Sequence, residues 1–157
     1  MDTLHFEQSS YREVLIEHLF TAELMKYSWL EGADFVEIAK PQVDRTGYDL
    51  VLEASGIIRH VQLKSTHLTS RLSQIELPIA LAAKPGGCAI VVRFHEKTLE
   101  LGPFHFFGGA PGEPLPDMSR LRVARRKLRN REGIRTERPG IRCVGSPNSK
   151  LFPQFGA

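Results

Sequence analysis

The chain begins with a stretch in which apolar residues recur every three or four positions. Over residues 10–29 this period is carried by Val14, Leu15, Leu19, Ala22, Met25 and Trp29. Such spacing is typical of a helix with one buried face. Ser10 and Glu13 have the spacing of a capping box, and Gly32 is suited to ending a helix. The pattern therefore predicts an amphipathic helix over residues 10–29.

Shorter apolar runs after the helix predict β-strands. Residues 35–38 form one short run. Residues 48–53 and 57–65 alternate in polarity on either side of an Ala-Ser-Gly turn, which indicates a β-hairpin. Residues 88–94, CAIVVRF, form a run rich in β-branched residues that is typical of a buried strand. These elements predict an α/β fold with a mixed central sheet of about five or six strands and flanking helices.

Residues 73–84 fit two structures. Apolar residues alternate through this segment, as in a strand, but its second half is rich in helix formers and Pro78 is suited to the first turn of a helix. The sequence favours a helix that ends before the Gly-Gly pair at 86–87. Further short strands are expected over residues 98–101 and 104–107.

The last third of the chain differs in composition. Residues 108–116 contain three glycines and three prolines, which is typical of a loop, and residues 119–132 are predicted to form a basic helix. The tail from residue 133 is expected to be irregular. We therefore divide the chain into an α/β core over residues 1–110 and a basic helix with its tail over residues 111–157, packed on the same domain.

Composition narrows the class of protein. A length of 157 residues with 41% apolar and 25% charged residues suits one folded domain. No apolar run approaches the roughly 20 residues that span a bilayer, and the first residues do not resemble a secretion signal, so a soluble cytoplasmic protein is expected. Cys88 and Cys143 are too few and too far apart for a disulfide scaffold or a zinc site, which predicts inert buried thiols.

The net charge of +3 conceals a strong asymmetry. Residues 119–150 contain eleven Lys and Arg and two Glu, whereas the rest of the chain has ten basic and sixteen acidic residues. A basic end on an acidic body predicts a polyanionic partner such as nucleic acid. On the predicted helix, four arginines at steps of three and four would form a stripe suited to phosphates. These are Arg122, Arg125, Arg126 and Arg129. Alternatively, they pair with the acidic body.

The predicted hairpin carries the residues that suggest chemistry. Because side chains alternate along a strand, His60, Gln62 and Lys64 share one face. Asp49, on the preceding strand, is expected to come near Gln62 and Lys64. A carboxylate and an amide oxygen would suit Mg²⁺, and the lysine could stabilise phosphate charge or activate a water molecule. A purely structural ion pair between Lys64 and Asp49 on a solvated face explains the same pattern.

Asp49, followed thirteen positions later by Gln62-Leu63-Lys64, resembles the signature of the PD-(D/E)XK nuclease superfamily, in its version with Gln in place of the second acid. The resemblance covers about residues 11–66. It implies a restriction-endonuclease-like core that cleaves DNA with Mg²⁺ or Mn²⁺. It further implies that Glu17, Asp49, the Gln62 amide oxygen and the Leu63 carbonyl hold the metal, and that Lys64 positions or deprotonates the attacking water.

Two positions are kept in reserve. Glu13 lies one helical turn before Glu17 and can replace it as the acid of the helix, and His60 can contact a phosphate. The string RHVQLKS at 59–65, with LAAKPGG at 81–87, also resembles a group of bacterial proteins, a resemblance that implies no function of its own.

Other functions stay open from the sequence. The neutral Gln62 is also consistent with a catalytically inactive nuclease-like fold that binds nucleic acid or protein. A small accessory protein whose basic tail contacts an acidic partner is a third hypothesis. The sequence favours DNA over RNA as the substrate without deciding between them. It also leaves open whether a homodimer is needed to cut both strands.

Overall fold

The computed structural model of the protein describes residues 8–32, 34–43 and 45–145. Its one α-helix in this part of the chain is α1 (Ser9–Glu31), which ends at Gly32 in the left-handed conformation, with a φ of 61°. No helix among the described residues is both long enough and apolar enough to cross a bilayer. The extent of the helix predicted over residues 10–29 is confirmed, with both ends within two residues. Its predicted buried face is wrong, because Val14, Met25 and Trp29 are exposed and α1 instead buries Ile16 and Phe20 against the sheet.

Eight strands follow α1 along the chain. They are β1 (Glu37–Ala39), β2 (Leu50–Ala54), β3 (Ile57–His67), β4 (Gln74–Pro78), β5 (Gly87–Phe94), β6 (Leu101–Gly108), β7 (Val123–Arg125) and β8 (Glu137–Gly145). A short 3₁₀ helix, Ile79–Ala83, lies between β4 and β5. Five strands form one mixed sheet in the order β1-β2-β3-β5-β6, and the other three form an antiparallel sheet in the order β4-β8-β7. The predicted α/β class and mixed sheet are confirmed; the second sheet was not predicted.

The β2–β3 hairpin forms where the sequence predicts it. Ser55 and Gly56 make the two-residue turn with φ values of 54° and 74°, the left-handed pair that a tight hairpin requires. Pairing runs from Ala54 opposite Ile57 to Leu50 opposite Val61. Beyond Val61, strand β3 continues to His67 alongside β5 in parallel register. The side of β3 that faces β2 therefore loses its strand partner at Gln62.

Two apolar clusters cover the two faces of the larger sheet. On one face, Ile16 and Phe20 of α1 pack with sheet residues. Those sheet residues are Leu50, Val61, Cys88, Val92 and Phe94. On the other face, residues of both sheets and the following loop form a second cluster. Its members include Leu77, Leu81, Ala89, Val91, Phe107, Leu115, Met118 and Val144. The sheet is thus buried between α1 and the smaller sheet, which explains why every residue of β5 except Arg93 is apolar or glycine.

Three segments differ from the prediction. Residues 74–78 are strand β4, because Ile75 and Leu77 alternate into the core opposite β8, and only residues 79–83 turn as a 3₁₀ helix. Residues 98–100 belong to the turn before β6, which contains the predicted strand at 104–107. The tail expected to be irregular contains β8; its last part, residues 146–157, lies outside the described residues.

The predicted basic helix over residues 119–132 is wrong. This segment contains β7 and turns, and Ala124 is fully buried where β7 pairs with β8. The apolar residues of this segment are too few to hold a helix against the core. Burial that alternates around Ala124 and the pairing with β8 favour a strand instead. Since β8 also pairs with β4, the residues after 110 complete the smaller sheet with a strand from the first part of the chain.

Candidate active site

The carboxylate of Asp49 lies where β3 loses its strand partner. Its Oδ2 accepts a hydrogen bond from the backbone N–H of Leu63 at 2.6 Å and one from Nε2 of Gln62 at 2.6 Å. The backbone N–H of Asp49 donates to the carbonyl of Val61 at 2.8 Å. The side chain of Asp49 thus replaces the missing strand partner, and two donors fix its orientation.

A cavity of about 440 Å³ opens beside this carboxylate. The N-terminal half of α1 forms one wall, and the start of β2 with the unpaired part of β3 forms the other. Its lining residues are Ser10, Glu13, Val14, Ile16, Glu17, Asp49, Gln62, Leu63, Lys64 and Ser65. The structure therefore brings together around one cavity every residue predicted for the metal and the attacking water, with Glu13 beside them.

The two helical glutamates are positioned by the packing of α1. Ile16 is fully buried against the sheet, so Glu13 and Glu17, one turn apart, lie on the side of α1 that borders the cavity. The Glu17 side chain is only 14% exposed, and its Oε1 lies 2.5 Å from Nζ of Lys40. Glu13 is exposed. Glu23 pairs with Lys26 at 3.5 Å and does not line the cavity.

Lys40 is the residue of the site that sequence analysis missed. It directly follows β1, whose last residue, Ala39, pairs with Val51. That register brings Lys40 beside the start of β2, and from there it reaches Glu17. A three-residue strand carries too little pattern to reveal its register, so no signal in the sequence identifies Lys40.

Lys64 lines the cavity but forms no salt bridge with the carboxylates around it. It is half-buried, and it forms no ion pair with any residue in the described ranges. The alternative in which Lys64 only neutralises Asp49 is therefore not what the structure shows. A lysine that is partly withdrawn from water and unpaired is available to bind an anion that enters the cavity.

Gln62 meets Asp49 in a different way from the one expected. The sequence prediction has its amide oxygen converge with the carboxylate on a cation, whereas the structure has its amide N–H donate to that carboxylate. A carboxylate only accepts hydrogen bonds, so the amide nitrogen is its complementary partner in a protein without metal. The same nitrogen lies 3.4 Å from the carbonyl oxygen of Leu63.

His60, the reserve residue for a phosphate contact, does not line the cavity. Its Nδ1 lies 2.7 Å from the carbonyl oxygen of Pro85, and its ring meets Tyr48 edge-on, with the ring centres 4.8 Å apart. These contacts hold the loop before β5 against the hairpin. His60 is thus a structural residue here.

The four predicted phosphate-binding arginines do not form one helical stripe. Arg122 donates to Oε1 of Gln74 at 2.6 Å, and Arg125 pairs with Glu137 at 3.4 Å. Arg129 donates to the carbonyl of Gly133 at 2.8 Å. All four are exposed along the β7–β8 hairpin, and Arg126 is the one whose side chain forms no hydrogen bond or ion pair with a described residue.

Comparisons with known proteins do not assign the chain to a family. A scan against protein-family models, a search of curated proteins and a search of solved structures return no match. The function is therefore argued from the residues around the cavity.

Proposed function

We propose that this protein is a metal-dependent nuclease that hydrolyses phosphodiester bonds in DNA, and that its larger sheet with α1 is a restriction-endonuclease-like core. The observation that carries the proposal is the cavity at the end of the β2–β3 pairing. Around it lie the oriented carboxylate of Asp49, two helical carboxylates and a lysine, Lys64, that has no ion pair within the described residues. Acid residues and a free cation around one cavity suit a phosphate ester and a divalent ion.

The donor set fits Mg²⁺ or Mn²⁺ by its chemistry. Magnesium prefers oxygen ligands and is commonly bound through one or two carboxylates together with water and substrate phosphates. The described residues contain no group of three or more His, Cys, Asp or Glu close enough to hold a metal, so the fit is to such an open site. Asp49 and Glu17 would hold the ion, with the Leu63 carbonyl and the Gln62 amide oxygen as further oxygen donors, and Glu13 stands in reserve for Glu17. When bound, the ion would neutralise charge on the scissile phosphate.

Two contacts must change for all these donors to act together. Gln62 must turn its amide so that the oxygen faces the cavity, and Glu17 must release Lys40. Both changes are rotations of side chains at the surface of the cavity. Asp49 needs no such change, because the N–H of Leu63 holds its carboxylate from the backbone.

Lys64 has the central role in the chemistry of the chain. Hydrolysis forms a bond from a water oxygen to phosphorus and breaks the bond from phosphorus to the leaving oxygen, which takes up a proton. As an ammonium, Lys64 stabilises the negative charge that grows on the phosphate oxygens; as a neutral amine, it accepts the proton of the attacking water. Its place beside Asp49 on the same cavity allows either role.

The decisive variant is Lys64→Ala, compared with Lys97→Ala, which removes an exposed lysine from the β5–β6 turn. We expect Lys64→Ala to abolish Mg²⁺-dependent cleavage of DNA while binding, measured in EDTA, stays nearly unchanged. Lys97→Ala should cut like the wild type. Thermal unfolding shows that both variants are folded. Continued Mg²⁺-dependent cutting by Lys64→Ala would overturn the assignment.

A second function is favoured by the Gln62–Asp49 hydrogen bond and the Lys40–Glu17 ion pair. With Gln62 donating to Asp49 and Lys40 held by Glu17, two expected metal donors are engaged within the protein. A nuclease-like fold that binds nucleic acid without cutting it accounts for both. It predicts binding that a chelator does not change, and no cleavage of any DNA or RNA form in Mg²⁺ or Mn²⁺.

A further inference from the structure

The end of the β7–β8 hairpin is an exposed basic arm. Every residue from 125 to 140 is exposed, and this segment contains seven Lys and Arg against two Glu. The remaining chain before residue 119 carries more acidic than basic residues. The positive charge of this segment is therefore concentrated on the connection between β7 and β8, whose two sides run back along each other as a ribbon. We call this connection the arm and define it as residues 125–137, of which only Arg125 and Glu137 belong to the strands.

The arm is ordered by its own backbone. The N–H of Arg126 donates to the carbonyl of Thr136 at 2.9 Å, which extends the β7–β8 pairing. Nearer the tip, the N–H of Asn130 donates to the carbonyl of Ile134 at 2.8 Å, and Oδ1 of Asn130 accepts from the N–H of Ile134 at 2.8 Å. These bonds form the ribbon before any partner arrives, so binding would not have to order it.

The charges on the arm divide into two sets. Arg125 and Arg129 are engaged, with Glu137 and with the carbonyl of Gly133. The other cations, Arg126, Lys127, Arg131 and Arg135, have no side-chain hydrogen bond or ion pair to the part of the chain that the structure describes. The three unpaired guanidinium groups among them are suited to phosphate oxygens, which they can bind in a bidentate manner, and Lys127 adds a fourth cation.

The tip also exposes apolar side chains. Leu128 is 84% exposed and Ile134 57% exposed, both between the free cations along the chain. Exposed apolar side chains surrounded by cations suit a partner whose surface carries negative charges next to apolar groups. In a DNA groove, phosphates line both walls, and the methyl groups of thymine lie on the floor.

We propose that the arm binds double-stranded DNA by entering its major groove, with the free cations on the phosphates at both walls and Leu128 towards the base edges. The major groove of B-form DNA is about 12 Å wide and admits an element of the width of a two-stranded β-ribbon. The arm consists of two chain segments side by side, joined by the Arg126–Thr136 and Asn130–Ile134 backbone hydrogen bonds. In A-form RNA the major groove is too deep and narrow for side chains to read. This proposal rests on the proposed function for the choice of nucleic acid as the partner. The width of the groove then favours duplex DNA over duplex RNA.

The test is binding without cleavage. We would measure the affinity of the full chain for a short labelled DNA duplex and for an RNA duplex of the same sequence, in EDTA and at several salt concentrations. Two variants each remove two free cations of the arm, Arg126→Ala with Arg131→Ala and Lys127→Ala with Arg135→Ala. The matched control, Arg71→Ala with Lys97→Ala, removes two exposed cations outside the arm.

The wild type should bind the DNA duplex at least about tenfold more tightly than the RNA duplex. Each arm variant should weaken DNA binding about tenfold and reduce the slope of log affinity against log salt by about two, since each phosphate contact contributes about one. The control should change affinity less than about twofold. Leu128→Ser should weaken DNA binding at unchanged salt slope, because it removes an apolar contact and no charge.

Three results would overturn the proposal: arm variants that bind like the wild type, equal affinity for the two duplexes, or tighter binding to an acidic protein surface than to DNA. Cleavage assays in Mg²⁺ distinguish failure of the proposal on the arm from failure of the proposed nuclease activity. DNA binding that depends on the arm, with no cleavage, refutes only the nuclease. Cleavage that survives both arm variants at wild-type affinity refutes only the arm.

Discussion

Lys40 forms an ion pair with Glu17, a residue that lines the cavity, with Nζ of Lys40 2.5 Å from Oε1 of Glu17. The glutamate is largely buried, whereas the lysine is more than half exposed. A cation that enters the cavity therefore competes with Lys40 for this carboxylate. The pair connects α1 to the segment after β1 and gives Glu17 a cationic partner in the protein without metal.

The first prediction concerns this pair. Lys40→Gln should lower the free energy of unfolding by at most about 1 kcal/mol, because one partner is solvated. The same change should tighten Mn²⁺ binding several-fold, measured by calorimetry, since Glu17 no longer holds a competing ammonium. Lys26→Gln, which breaks the Lys26–Glu23 pair outside the cavity, is the control and should leave Mn²⁺ affinity unchanged. Equal Mn²⁺ affinity in both variants would contradict this role of Lys40.

Asp49 should stabilise the fold independently of any activity. Asp49→Ala removes the acceptor of the Leu63 N–H and of the Gln62 amide, so we expect unfolding in urea to show a loss of about 2 kcal/mol. Asp49→Asn keeps an acceptor oxygen and should lose less. Hydrogen exchange at the Leu63 amide should be faster in Asp49→Ala than in Asp49→Asn. An alanine variant as stable as the wild type, with a slow Leu63 amide, would show that this contact is unimportant.

Gly47, two residues before Asp49, and Gly56, in the hairpin turn, provide a matched pair. Their φ values are 73° and 74°, but a Cβ at Gly47 would lie 2.1 Å from Cγ of Pro78, whereas none of the described atoms lies within 4 Å of one at Gly56. Gly56→Ala should lower the free energy of unfolding by about 1 kcal/mol, because alanine is strained in the left-handed conformation. Gly47→Ala should lower it by about 1–3 kcal/mol more, because Pro78 must also move. Equal thermal stability of the two variants would refute the close approach.

The docking of α1 depends on Ile16, which is fully buried. Ile16→Ala should lower the free energy of unfolding by about 3 kcal/mol through lost burial and the cavity left behind. Val14, two residues before Ile16 on α1, is 49% exposed. Val14→Ala should therefore lower the free energy of unfolding by less than about 0.5 kcal/mol. Chemical denaturation measures both. If the two variants lose the same stability, α1 is not anchored through Ile16.

Burial raises the pKa of the Cys88 thiol to about 11, with Arg59 acting in the opposite direction. At about pH 8, roughly one thiol in a thousand is then the reactive thiolate, so native Cys88 should resist alkylation. In a Cys143→Ser background, which isolates Cys88, the rate should rise about tenfold for each unit of pH below 11. Denaturant should restore ordinary reactivity. Fast labelling of native Cys88 at neutral pH would contradict its burial.

Local pattern determined much of the fold. The apolar period and Gly32 determined the extent of α1, but not the face that it buries, which is formed by Ile16 and Phe20. The alternation on either side of Ser55-Gly56 determined the hairpin. Because a tight turn sets the register of the strands it joins, the sequence was also enough to predict that Asp49 approaches Gln62. These features depend on residues close together in the chain, where period and turn chemistry act directly.

Contacts between distant residues decided the rest. Residues 119–132 resemble a helix in composition, yet β7 pairs with β8 and β8 pairs with β4, more than sixty residues earlier in the chain. The Lys40–Glu17 pair and the amide orientation of Gln62 likewise depend on packing that no local pattern contains. The sequence by itself determined the helix, the hairpin and the chemical types at the site. Only the tertiary structure decided the second sheet, the exposed arm and the partners of each charge, because strand pairing and burial are settled by residues far apart in the chain.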